Sequence, residues 1–155
     1  MKFIECKLAD LSLITSAYQI CPLPSCGYRK ILSVSFNGVC GHGHKSNADV
    51  IYLCAIIAAG LQAWQPCALI LDLQELSYEW GDMMSMVFGL HSRMNIFGKQ
   101  ISYPSVALIS DRNRKGLTSL VKKEMFKNPE DFLFESLGDA IIQIEKQVAK
   151  INEIT

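Results

Sequence analysis

An α/β fold, with a mainly parallel sheet of about four to six strands and crossover helices, is what this sequence predicts. Three observations carry the expectation. Residues 67–73, Cys-Ala-Leu-Ile-Leu-Asp-Leu, are a near-continuous apolar run, the pattern of a strand buried on both faces. Residues 48–64 place Val50, Ile51, Leu53, Cys54, Ile56, Ile57, Leu61 and Trp64 at helical spacing, in a stripe wide enough to be buried against the sheet and against something else as well. From residue 30 onward the segments read β, α, β, α, β, α, β, α, the order that gives parallel strands joined by right-handed crossovers.

Taken in order, residues 1–29 are an irregular or strand lead-in, with one strand over 3–8 and a second extended piece over 11–20. Cys21-Pro-Leu-Pro-Ser-Cys-Gly27 is a loop, because two prolines and a glycine interrupt either ladder. Residues 30–36 alternate Ile31, Ser33 and Ser35 against Leu32, Val34 and Phe36, a strand with one polar face that Asn37-Gly38 then turns. The glycine-rich run 40–47 leads into the first helix, with Ser46 or Asn47 as its cap and Asp49 in its first turn. Gln65-Pro66 ends that helix. After the central strand, residues 74–81 form a polar and aromatic turn. A second helix follows, apolar at Met83, Met84, Met86, Val87, Leu90 and Met94 and closed by Phe97-Gly98-Lys99. Residues 106–109 are a short strand set up by Tyr103-Pro104. The charged turn 111–116 opens a third helix to about Met125, and Asn128-Pro129-Glu130 breaks it. Residues 132–134 make an edge strand, and Ser136 with Asp139 resembles a capping box for a last helix to about Ile151. One domain over residues 1–155 is expected.

Composition narrows the function classes. Fifteen Lys and Arg balance fifteen Asp and Glu, which argues against affinity built on phosphate neutralisation and hence against nucleic acid. Only 19% of residues are charged while 50% are hydrophobic, so apolar surface is left over for a protein partner. The most apolar stretch, residues 50–63, is too short for a membrane span, and Glu5 and Asp10 interrupt any signal peptide. A cytoplasmic protein with reduced thiols is expected, with Cys54 and Cys67 acting as small hydrophobes. The wide stripe of the first helix also suits a homo-oligomer.

Three groups of residues carry side chains suited to chemistry or binding. Cys40-Gly-His-Gly-His44 sets soft and borderline zinc ligands at Cys40, His42 and His44, with Cys21 or Cys26 to complete a set. There is no Cys-x-x-Cys pair, and the polar-loop reading stands beside the metal one; no resident metal or cofactor is expected. Gly41 and Gly43 could also free amides toward an anion, but Lys45-Ser46 lacks the frame of a phosphate-binding loop. A thiol nucleophile at Cys40 paired with His42, His44 or His91 has no support beyond chance, and no catalytic set is expected. The third group is Ser77, Tyr78, Glu79, Trp80, Gly81 and Asp82, after the central strand. Tyr78 and Trp80 cover the core's end and Asp82 caps the next helix, or the group forms a recognition edge of two aromatics and two carboxylates. Asp72 reads as a strand-end carboxylate bonding loop amides. The methionines read as core filling and Arg112, Arg114 and Lys115 as a solvated turn.

Residues 30–38, a helix, then Ala68-Leu-Ile-Leu-Asp-Leu-Gln-Glu-Leu-Ser-Tyr78, and finally Phe134-Glu-Ser-Leu-Gly-Asp-Ala140 resemble a STAS domain, the fold of anti-sigma-factor antagonists. The resemblance spans about residues 30–150. It implies a regulatory, non-enzymatic protein-interaction module. In that family a phosphorylatable serine or threonine begins the helix after the strand; here Trp80, Gly81 and Asp82 stand at those positions, and Asp82 supplies a fixed negative charge. A second resemblance is to the first half of a crotonase-fold protein, through the helix at 47–64, the strand at 68–73 and Tyr103-Pro-Ser-Val-Ala-Leu-Ile-Ser110. It implies acyl-CoA binding and an oxyanion hole of two backbone amides. The turn 111–116 lacks the glycines of that pattern.

Overall fold

A computed structural model describes residues 1–27, 29–90, 92–94 and 100–154, without the side chains of 26, 92–94, 100–102 and 152–154. The elements are β1 (Thr15–Pro22), β2 (Lys30–Val39), α1 (Ser46–Trp64), β3 (Ala68–Ser77), α2 (Met84–Gly89), β4 (Ser92–Met94), β5 (Gln100–Ser102), β6 (Ser105–Leu108), α3 (Arg114–Glu124), β7 (Leu133–Phe134) and α4 (Leu137–Ile154). The class is α/β, as the alternation predicts. Its main sheet has the order β1-β2-β3-β6-β7 among the described residues. β1 runs antiparallel to β2, and the other three pairings are parallel, so the sheet is mixed.

The sheet separates two apolar layers. On one face Leu32, Val34 and Phe36 of β2 and Leu69, Leu71 and Leu73 of β3 pack with Val50, Leu53, Ile57 and Leu61 of α1. Val87 and Phe88 of α2 and Leu117 and Val121 of α3 join the same cluster. On the other face Ile31, Ala68, Ile70, Val106 and Leu108 meet Ala140, Ile144 and Val148 of α4. β3 therefore buries both sets of its alternating side chains, which is why its sequence reads as a continuous apolar run.

Several boundaries differ from expectation for stated reasons. Residues 3–8 form no strand: Phe3 and Ile4 are fully or nearly fully exposed, and a 3-10 turn follows at Leu8–Asp10. β1 extends past residue 20, through Cys21 and Pro22 of the expected loop, because it is an edge strand and the missing proline N–H costs no ladder bond there. Asn37-Gly38 does not turn the chain. β2 runs through it, the register with β3 shifts between Ser35 and Asn37, and Gly38 takes φ 143°, where a Cβ would come within 3.2 Å of the Ile14 α-carbon. β3 likewise continues through the expected turn to Ser77. The second helix stops at Gly89, and Met94 lies in β4, which pairs with β5 in a separate antiparallel ribbon. Residues 97–99 and His91 lie outside the described residues.

α1 ends where the sequence predicts, with Gln65 in the left-handed region at φ 42°. Its start is different: Ser46 is inside the helix, and its hydroxyl donates to the Gly43 carbonyl at 2.6 Å rather than capping. The helical stretch 43–64 is long and apolar enough, by length and composition alone, to cross a membrane; in the fold its inner face lies on the sheet. At α4 the Ser136 hydroxyl makes one half of the expected box, accepting from the Asp139 N–H at 3.1 Å, and it donates to the Asp139 carboxylate at 2.8 Å, where a full box would have that carboxylate accept from the Ser136 backbone N–H.

Candidate functional site

Parallel strands deliver their following loops to one end of the sheet, which is where open α/β sheets bind their ligands. Three loops meet at that end here: 40–45 after β2, 78–83 after β3 and 109–113 after β6. The two stretches singled out from sequence are therefore neighbours. The His42 and Trp80 rings are stacked with centroids 6.0 Å apart and planes at 22°, and His42 Nε2 lies 3.9 Å from Glu79 Oε2. Gly43 lies under the Trp80 ring, where a Cβ would come within 3.0 Å of the indole, and its φ of 54° suits glycine.

The six expected contact residues divide into supports and surface. Tyr78 is buried, and its hydroxyl donates to the Gly81 carbonyl at 2.7 Å, so it braces the loop and is no part of an aromatic surface pair. Burial pushes its phenol well above the ordinary value, with Cys40 and Asp82 adding to the shift. Ser77 is a half-buried strand residue whose carbonyl accepts from the Cys40 N–H at 2.9 Å, which ties the first loop to the second. Gly81 takes φ 144°, close to Ser46. Trp80 is 59% exposed and flanked by exposed Glu79 and Asp82. Asp82 does not cap α2 with its side chain, since the residue before that helix is Met83 and carries no side-chain cap; its carbonyl accepts from the Ser85 hydroxyl at 2.7 Å.

The third loop, whose sequence suggests a solvated turn, is one wall of the site in the structure. Asn113 is 2% exposed and donates through Nδ2 to the carbonyls of Leu73 at 2.5 Å and Leu76 at 2.8 Å. Its Oδ1 accepts from the Ser110 N–H at 3.1 Å, and the Ser110 hydroxyl donates to the Gln74 carbonyl at 2.7 Å. Those bonds satisfy carbonyls that β3 leaves unpaired near its end. The Arg112 carbonyl accepts from the Tyr78 N–H at 3.3 Å, and at Gly116 a side chain would run into the Glu79 carbonyl. Between the second and third loops lies an open groove of about 530 Å³, lined by Trp80, Arg112, Lys115 and Ser119 among others. The only sequence signal for this wall was its position after a short strand.

The zinc candidates do not converge. Cys40 is buried, with its thiol pushed up to about 12 by burial and, secondarily, by Asp49. No group of three His, Cys, Asp or Glu side chains suited to a metal occurs among the described residues. Asp49 has a structural task that its place in the first turn did not suggest: it accepts from the Gly41 N–H at 2.9 Å and from the Ser12 hydroxyl at 2.6 Å. Asp72 sits within β3, opposite Ser35 and Leu108, and accepts from the Gln74 N–H at 3.2 Å instead of holding a loop. No protein-family model matches this chain, and no curated protein is significantly similar to it.

Proposed function

We propose that this chain is a non-enzymatic regulatory or protein-interaction module of STAS-like layout, which meets its partner through the edge built on residues 77–82. One observation carries the reading. Trp80 stands 59% exposed at the strand-end face, held by a stacked His42 and by loops pinned from below. A large aromatic kept rigid and in water, beside charged residues that can form a rim, is what a binding hot spot requires. The antiparallel β1–β2 pair followed by parallel strands supports the layout. Asp82, exposed before α2, offers the charge that the family's phosphoacceptor would acquire. The partner is a protein, neither nucleic acid nor membrane, in the cytoplasm, and no resident cofactor takes part.

The test is affinity capture from the source cell with the wild-type chain, followed by titration of each captured protein against Trp80→Ala and Asp82→Asn. Trp80→Ala should weaken binding roughly 30-fold or more, the effect of removing a hot spot of about 2 kcal/mol. Its folding stability should stay within about 0.5 kcal/mol of wild type, since an exposed side chain is removed. Unchanged affinity of both variants for every captured partner would sink the reading. A rise in Tm with acyl-CoA thioesters would favour the crotonase-like alternative, and a rise with zinc that a chelator reverses would favour a metal role.

A further inference from the structure

We infer that the chain is a homodimer joined edge to edge, β1 antiparallel to the same strand of a second copy, with the two α1 helices meeting above the seam. The surface is separate from the Trp80 groove. Among the described residues β1 is the outermost strand of the sheet and pairs with β2 alone, in eight consecutive registered positions without a bulge. Alternate N–H and C=O groups of such a strand face outward. Exposed edges are usually blunted by lysine, proline, bulges or shortness. Residues 15–21, Thr-Ser-Ala-Tyr-Gln-Ile-Cys, carry no charge, and Pro22 comes only at the end. Leu13 at 99% exposure and Ile20 at 44% flank this edge with apolar surface.

The second observation is the helix above it. Tyr18 donates its hydroxyl to the Ile56 carbonyl at 2.6 Å and sets its ring 4.7 Å from Trp64, and Ser16 bonds Tyr52 at 3.1 Å, so α1 lies over β1. α1 carries one charged residue, Asp49, which is engaged by Gly41 and Ser12. Ile51, Ala58, Ala59, Ala63 and Trp64 are exposed on it, with the uncharged Asn47 and Gln62 as its exposed polar side chains. A helix that is apolar on its outer as well as its inner face is one that is covered on both.

A second copy satisfies both features with one operation. A two-fold axis perpendicular to the sheet pairs β1 with itself and keeps both α1 helices on one face. Neither surface brings like charges together. The dimensions also agree: an eight-residue strand is about 27 Å long and a nineteen-residue helix about 28 Å. Sheet and helix layers together make a face on the order of 500–600 Å² in projection, which side-chain relief brings toward the ~800 Å² per partner of a standard interface. A lipid surface would cover α1 but leave the β1 edge without hydrogen bonds, a costly arrangement in hydrocarbon.

Sedimentation velocity of the full chain, with Ala59→Arg and Gln19→Lys alongside, tests the inference. The wild type should sediment with twice the 17.3 kDa chain mass at tens of micromolar, and both variants with the mass of one chain. Amide exchange of the wild type at high and low concentration gives a readout free of any folding defect in the variants: residues 15–21 should exchange more slowly at high concentration. A one-chain wild type at 100 µM overturns the proposal, and so does concentration-independent exchange of β1. Folded variants that remain dimeric also overturn it, since the interface must then lie elsewhere. A monomer that cosediments with phosphatidylcholine–phosphatidylglycerol vesicles overturns it in favour of a lipid surface.

Discussion

Cys40 shows how a residue's place changes its chemistry. In sequence it heads a Cys-Gly-His-Gly-His run and invites a metal or nucleophile reading; in the fold its thiol is pushed from an ordinary value near 9 to about 12. A thiol that stays protonated at neutral pH is neither a good ligand nor a good nucleophile. Its pKa in the folded chain lies above that in the unfolded chain, so its contribution to stability is fully present below about pH 9. That contribution is lost as pH rises from about 9 to 12, because only the unfolded state releases the proton in that window. Tyr78, shifted in the same direction, adds to the loss at alkaline pH. Denaturant melts across pH 7 to 11 should show falling stability above pH 9. An Ellman titration of the native chain at pH 8 should find exposed Cys6 and Cys21 reactive and Cys40 silent until unfolding. Rapid native labelling of Cys40 would contradict the buried placement.

At the scale of elements, the joints are made by side chains that local rules do not single out. Asn113 stands at the N-cap position of α3 without capping it by its side chain, and its amide donates instead into β3 at Leu73 and Leu76. One side chain thereby fixes the third loop against the end of β3. Asn113→Ala leaves two carbonyls and the Ser110 N–H short of their side-chain partner at a buried position. The expected cost is about 2–4 kcal/mol, with a matching fall in the denaturation midpoint. Because Trp80 stands in the loop just past the strand end that Asn113 holds, its fluorescence should report the loosening at denaturant concentrations below the main transition. A stability loss under about 1 kcal/mol would show that these bonds are not the joint. Asp49 joins in the same way from α1, holding Gly41 and the lead-in at Ser12.

For the whole molecule, the unequal covering of the sheet is the governing feature. Three helices close one face; on the other, α4 meets β3 and β6, with Leu23 completing that cluster. That second layer is thin, so each of its members counts. Ile144→Ala removes a fully buried side chain and should cost about 3 kcal/mol by urea titration, whereas Ile142→Ala, 51% exposed on the same helix, should stay within about 1 kcal/mol. Equal effects at the two positions would mean that α4 does not sit on the sheet through the Ile144 face.

The sequence by itself determined the α/β class, the three long helices to within a few residues of their ends, the parallel core strands and the capping of the last helix by the Ser136 hydroxyl. These follow from periodicity and from side chains acting within one turn of their own position. It also pointed to residues 77–82 and to the Cys40–His44 run, though as separate features. Only tertiary structure decided that β2 and β3 run on through Asn37-Gly38 and Gln74-Glu75, because their mutual pairing resumes past the register shift at Asn37–Glu75 and side chains of the third loop take up the Leu73, Gln74 and Leu76 carbonyls. Only it set Trp80 against His42, buried Tyr78 and made Asn113 a joint. Those placements rest on contacts between residues 35 to 40 positions apart, which no local pattern encodes.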